Sequence, residues 1–213
     1  MPCRLRFHLQ VPLLGQHLRP RLLRPVAWRR LSDDEWEMVR PFVVELHGRG
    51  RPVADLRARL DACLYGACMK EAWKELPAEF GRADTVSRQF RRWGEAGLWE
   101  ALLHAVALQG REPSLAGLAY FVCRAFRRCH RVLGLRGLRL ARALGMDSAL
   151  RAPRAWLPDP DLSEHYHATV LIPGAEAMLG WPVAVRLAAI RVWKGMLTRV
   201  KGRARIARWM APA

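Results

Sequence analysis

Five residues in one short stretch have the chemistry to read a polyanion. In "LPAEFGRADTVSRQFRRW", residues 76–93, the polar side chains of Ser87, Arg88, Gln89, Arg91 and Arg92 fall between Val86, Phe90 and Trp93. Arginine and glutamine make paired hydrogen bonds to guanine and adenine edges, and a serine hydroxyl suits a phosphate oxygen. Val86, Phe90 and Trp93 stand at i, i+4 and i+7, one face of a helix, so the polar five are expected on the solvent side. A second group, Arg49 and Arg51 in "HGRGRP" (47–52), lies in a loop marked by glycine and proline and compact enough to enter a minor groove. Each group also has a plainer reading, a solvated helix face or a solvated loop, and periodicity does not choose between them.

Other chemistry is thinner. "PDPDLSEHYH" (158–167) gathers Asp159, Asp161, Glu164, His165 and His167, but a metal needs converging ligands and a His-x-His pair is common. Cys123 and Cys129 lack the partner pair of a zinc signature. No catalytic residue, metal ligand set, cofactor or small-molecule substrate is expected. Five cysteines, an odd count, point to free thiols in a reducing compartment.

The elements that must position Ser87–Arg92 can be read from caps and stripes. In "LSDDEWEMVRPF", Ser32 and Glu35 have the spacing of a capping box, Leu31 and Trp36 that of a hydrophobic staple, and Pro41 is expected to kink or divide the helix. A second helix is expected from about Asp55 to Met69, with Leu56, Leu60, Cys63, Leu64 and Ala67 on its inner face. Trp73, Leu76 and Phe80 predict a short helix ended by Gly81, with Asp84 or Thr85 capping the next. A short helix, a turn and a second helix with Arg-rich exposure is a helix-turn-helix arrangement. A helix over about Leu98–Leu108 closes the domain.

Leu31 to about Leu103 resembles the helical N-terminal domain of bacterial insertion-element transposases. The matching residues are "LSDDEW", Pro41, "GRP" at 50–52, "LY" at 64–65, Trp73, "LP" at 76–77, "FG" at 80–81, "TV" at 85–86, "FRRW" at 90–93 and "GLWEALL" from Gly97. The chain departs from the pattern at Lys70-Glu71, where a Gly-Cys pair is expected, and at Arg82-Ala83, where an aromatic is. The resemblance implies a domain that helps a transposase grip the ends of its element. It also implies a following ribonuclease-H-like sheet with two Asp and one Glu, because two metal ions must clamp the attacking and leaving oxygens. After residue 108 only Glu112, Asp147, Asp159, Asp161, Glu164 and Glu176 are acidic. The best strand candidate is "ATVLI" (168–172), and "MDSAL" (146–150) follows an expected helix rather than a strand.

Charge divides the chain. Residues 1–30 carry seven Arg and no acid, residues 31–108 carry 11 basic and 13 acidic groups, and residues 109–213 carry 18 basic and six acidic groups. The whole has a net charge of +17, which favours a polyanionic partner. With 32 Arg against four Lys and no Asn, part of this bias is what GC-rich coding would produce. Residues 1–30 read as a disordered basic arm. Residues 109–213 read as a basic, mostly helical region, with a stripe through Leu118, Phe121, Val122, Ala125, Phe126, Cys129, Val132 and Leu133. Arg124, Arg127, Arg128 and Arg131 lie off that stripe and read as a solvated face. "LRLARALGMDSAL" (138–150) hints at a second helix-turn-helix. The tail 191–209 interleaves aromatic and basic residues in a way that suits nucleic acid, an anionic membrane or a partner groove. The apolar stretch 168–190 contains Glu176, Arg186, Pro173 and Pro182, which argue against a span, and residues 1–30 lack the apolar run of a signal peptide.

The expectation is a mainly α, cytoplasmic, nucleoid-associated protein. It comprises an arm (1–30), a transposase-like helical domain (31–108) and a basic helical region (109–213). Its partner is double-stranded DNA, with self-association left open, and it is non-catalytic. The alternatives are a catalytic transposase, or one split across a second reading frame, and a decayed gene product or membrane-surface protein.

Overall fold

Ser32 and Glu35 start the first helix as their spacing requires: the Ser32 amide donates to Glu35 Oε2 (2.9 Å) and the Glu35 amide to Ser32 Oγ (3.2 Å). The computed structural model describes residues 21–45, 53–69, 72–108 and 112–202. Among these the chain is helical, and its β-pairing is an isolated bridge between Arg21 and Met146. Helix α1 (Asp33–Glu45) runs through Pro41 without dividing. Helix α2 (Leu56–Cys68) is capped by Asp55, whose carboxylate accepts from the Ala58 amide at 2.8 Å. Helices α3 (Ala83–Ala96) and α4 (Leu98–Leu108) meet at Gly97, whose φ of 95° makes the left-handed C-cap that glycine adopts most readily.

Two compact units divide the chain, Met1–Arg151 and Ala152–Ala213. The segment expected over 31–108 is therefore part of a larger first unit. Helix α5 (Pro113–Arg128) packs on α1, α2 and α4, burying Leu115, Leu118, Phe121, Val122 and Phe126. The stripe expected to run on to Leu133 turns at Cys129 into α6 (His130–Ala143), which is itself broken at Gly134, with φ 57° and ψ −143°. A Cβ on Gly94 would lie 2.4 Å from Cys129 Sγ, so glycine is what lets α3 and the start of α6 approach. Burial pushes the thiols of Cys68, Cys123 and Cys129 up to about 12 and that of Cys63 higher. Cys63, Cys123 and Cys129 are core residues and Cys68 is half-buried beside them, so burial keeps all four protonated rather than reactive.

The described part of the expected disordered arm, residues 21–30, is held in place. The Arg21 amide donates to Gly145 O (2.7 Å), the Asp147 amide to Arg21 O (3.1 Å) and the Leu23 amide to Ser148 Oγ (2.7 Å). Trp28 meets Tyr65 and Phe80 edge-on, with centroids 4.9 and 5.5 Å away. Arg29 makes two bonds to Glu35, at 2.7 and 2.6 Å. The Glu35 carboxylate is buried and lies 2.7 Å from where a Cβ on Gly117 would be. Burial works to raise the Glu35 pKa, but the bonds from Arg29 and Ser32 and the Arg29 charge outweigh it and hold it below the ordinary value. Arginine in this segment reads as solvated by composition, yet here it neutralises a buried carboxylate.

The sequence 138–150 forms no second helix pair: after α6 the chain turns at Gly145, with φ 66°, into a single 3-10 turn at Asp147–Ala149. Pro153 sits just beyond, where a continuing helix would have to pass it.

The second unit holds α7 (Pro160–Thr169), α8 (Ala175–Leu179) and α9 (Val183–Lys201). Helix α7 is capped by Asp159, which accepts from the Leu162 amide at 3.1 Å. The expected strand "ATVLI" is not formed: residues 168–169 close α7 and residues 170–174 are irregular. Among the described residues, no group of three His, Cys, Asp or Glu is placed to hold a metal. No described helix is long and apolar enough to cross a membrane.

Candidate nucleic-acid interface

Helix α3 is aimed by what precedes it. The short helix expected over Trp73–Phe80 is instead two single 3-10 turns, Trp73–Glu75 and Ala78–Phe80. Pro77 is the reason: the residue before a proline avoids the α region, and Leu76 is extended, with φ −62° and ψ 128°. Gly81, with φ 82°, then redirects the chain. The expected caps are displaced as well. Helix α3 begins at Ala83 with Arg82 at the N-cap and no side-chain cap bond, which leaves Asp84 in the first turn.

The inner face of α3 is fixed by aromatic packing. Val86, Phe90 and Trp93 are buried. Phe90 lies between Trp73 and Trp99, with centroids 5.1 and 4.8 Å away, and Trp99 Nε1 donates to Phe90 O at 3.1 Å. Trp73 can reach in because position 66 is glycine; a Cβ there would lie 2.2 Å from its ring.

Two arginines expected on a solvated face complete this support. Arg124 is buried and donates to Cys68 O (3.2 Å), and Arg128 donates to Met69 O (2.8 Å). From α5 they satisfy carbonyls at the C-terminal end of α2, where positive charge is favoured. Burial, with the charge of Arg124, pushes Arg127 down to about 10. Arg131 is exposed, as expected.

On the outer face, Arg88, Arg91 and Arg92 are exposed and Ser87 is half-buried. Gln89 is not outside: it is 8 % exposed. The spacing explains this, since position 89 is three residues after Val86 and four before Trp93 and so borders the apolar stripe. Arg49 and Arg51 lie outside the described residues. The outer face also carries two exposed acids, Asp84, which the sequence offered as a cap, and Glu95, which the sequence reading passed over. Arg88 pairs through Nη2 with Asp84 Oδ2, one turn earlier, and its Nε donates to Asp84 O at 3.4 Å. The signal for this pair was the Asp-x-x-x-Arg spacing. Arg91 Nε donates to Ser87 O at 3.4 Å. Among the described residues no carboxylate is paired with Arg92. Lys74 and Arg82, in the segment leading into α3, are exposed too.

Comparison with known proteins gives this face a context. Residues 31–103 match a family model described as "Putative transposase of IS4/5 family". A curated relative, the uncharacterized protein y4sN of Sinorhizobium fredii (strain NBRC 101917 / NGR234), is 36% identical over 89 residues, covering 41% of this chain and 69% of its own. No solved structure matches the chain. The matched segment contains α1 to α3 and the start of α4, with the aromatic cluster that sets α3, and through it the chain is related to the IS4/5-family transposases.

Proposed function

We propose that this protein binds duplex DNA through α3, gripping an element end or a derived regulatory site without cutting it, in the cytoplasm and on the nucleoid. The observation that carries this reading is the outer face of α3. Arg88, Arg91 and Arg92 are exposed on a helix whose opposite side is locked by Phe90, Trp93 and Trp99. The match to a transposase family model supports DNA as the polyanion. With Asp84 and Glu95 beside them, the three arginines leave little net charge, so this face suits particular contacts better than general attraction. General attraction falls to the flanks and to Arg49 and Arg51, whose Arg-Gly-Arg-Pro sequence suits a minor groove. Several other arginines serve the fold: Arg29, Arg57, Arg124, Arg128 and Arg136 are engaged with Glu35, Asp33, Cys68 O, Met69 O and Glu100.

The non-catalytic part of the reading rests on where the later acids stand. Glu112 precedes α5, Asp147 lies in a 3-10 turn, Asp161 and Glu164 are on α7, and Glu176 is on α8. The two-metal chemistry that the resemblance implies carries its carboxylates on a sheet, and among the described residues these acids and Asp159 stand on helices, at helix caps or in a 3-10 turn.

The test is fluorescence anisotropy of the full chain with labelled duplex DNA. Affinity is expected to fall on the order of 10³-fold from low to moderate salt if about six phosphates are contacted. Absence of binding at low salt would refute the reading. Mg²⁺- or Mn²⁺-dependent nicking of the same duplex would refute its non-catalytic part.

A further inference from the structure

We infer that Asp84 is a positioning residue that holds the Arg88 guanidinium for base recognition, so that this acid contributes sequence preference while opposing affinity. The inference rests on α3 being the DNA-reading helix. Its basis is the arrangement of the first two turns. Arg88 folds back along α3 toward the N-terminus, with Nη2 on the Asp84 carboxylate and Nε 3.4 Å from Asp84 O. Helical side chains lean in that direction, and the N-terminal end of a recognition helix is the part that meets base edges.

An exposed arginine without a partner samples many rotamers and loses that freedom on binding. Two contacts from one residue bias this guanidinium toward one orientation before any ligand arrives. Of the donors left over, one on Nη1 and one on Nη2 form the adjacent pair that a guanine edge accepts through O6 and N7. A carboxylate in this position has an electrostatic cost. It faces the same side as Arg88, with its side chain 62% exposed, and would repel a nearby phosphate. An acid in the first turn also suits the helix dipole, so the variants below separate aiming of the arginine from support of the helix.

The experiment is selection of bound duplexes from a randomised pool by the full chain, with anisotropy on the recovered sequence and on a scrambled one. The wild type is expected to enrich one base pair that Arg88→Ala no longer selects. Asp84→Asn is expected to lose selection at the same base pair, on the order of tenfold, while binding scrambled duplex at least as tightly as the wild type. Asp84→Glu, which retains a carboxylate one turn before Arg88, is expected to keep the preference, and Arg92→Ala to leave that base pair unaffected. Thermal melts by circular dichroism confirm that the variants fold, and Asp84→Glu carries the test if Asp84→Asn does not.

If Asp84→Asn strengthens binding to every duplex alike and keeps the preference, Asp84 is only a repulsive charge and the inference falls. It also falls, with the DNA reading intact, if the wild type binds duplex but enriches no base. If the wild type binds no duplex even at low salt, both fall.

Discussion

The guanidinium of Arg128 lies 4.4 Å from the centre of the Trp73 ring while donating to Met69 O at 2.8 Å. One side chain from α5 therefore secures the end of α2 and the indole on which Phe90 of α3 rests. Arg128→Ala is expected to cost roughly 1–3 kcal/mol, from a cation–π contact and a charged hydrogen bond. Arg128→Lys should recover only part, because an ammonium cannot stack flat on the ring. Urea denaturation followed by tryptophan fluorescence measures both.

The same packing bears on how the family segment can be studied. Residues 31–108 alone lack α5 and would expose the surfaces of α1, α2 and α4 that it covers. That fragment is expected to show no cooperative thermal transition, whereas residues 21–151 should melt in one step. A sharp melt of the short fragment by circular dichroism would count against this account.

Acid should act on two buried carboxylates in opposite directions. Glu35 is held below its ordinary value, so its stabilisation is present above the unfolded glutamate pKa and is lost as pH falls through the lowered one. Asp61 is raised, chiefly by burial and despite the bond from the Leu31 amide. Its contribution is present below the unfolded aspartate pKa and is lost as pH rises through the raised one. Glu35→Gln is therefore expected to lower the melting temperature near about pH 7, with the gap closing toward about pH 3. Asp61→Asn should raise it near neutrality and bring no gain in acid.

Trp93 and Arg92 separate folding from binding. The Trp93 side chain is fully buried, and its Nε1 has no hydrogen-bond acceptor among the described residues. Trp93→Ala is expected to cost roughly 3–5 kcal/mol. Trp93→Phe should cost much less, because it removes a buried N–H that has no partner. Arg92→Ala should stay within about 0.5 kcal/mol in stability while weakening DNA binding by roughly 1–3 kcal/mol if the contact is to a base. Equal melting temperatures for Trp93→Ala and the wild type would contradict the packing.

What the sequence made legible was local. The Ser32–Glu35 box, the bounds of α4 and the inward set Val86, Phe90 and Trp93 each follow from residues within two turns of one another. What it hid lay at the margins of stripes and across long separations. Gln89 and Arg124 flank apolar stripes, and a flank is covered or open depending on a neighbour that periodicity does not reveal. The segment 21–30 has no period, so it read as an arm; its order comes from Glu35, Tyr65 and Phe80 and, more than a hundred positions away, from Gly145, Asp147 and Ser148. Within the candidate interface, Asp84 read as a cap because its type favours one, and its pairing with Arg88 became plain only once α3 began at Ala83, two residues before an Asp84 cap would start it.

The bond from Leu23 to Ser148 closes 125 residues of chain, and that sets an order of events during synthesis. Helices α1 to α4 have their near partners soon after they leave the ribosome. The segment around Leu23 emerges before all of them, yet its acceptor is made after α6. For most of translation this stretch waits with its backbone groups hydrated, and Trp28 is left to find Tyr65 and Phe80 by itself. Closure at Ser148 is thus a late step in the birth of the first unit, and a nascent chain halted before residue 148 would carry its earliest segment still untied.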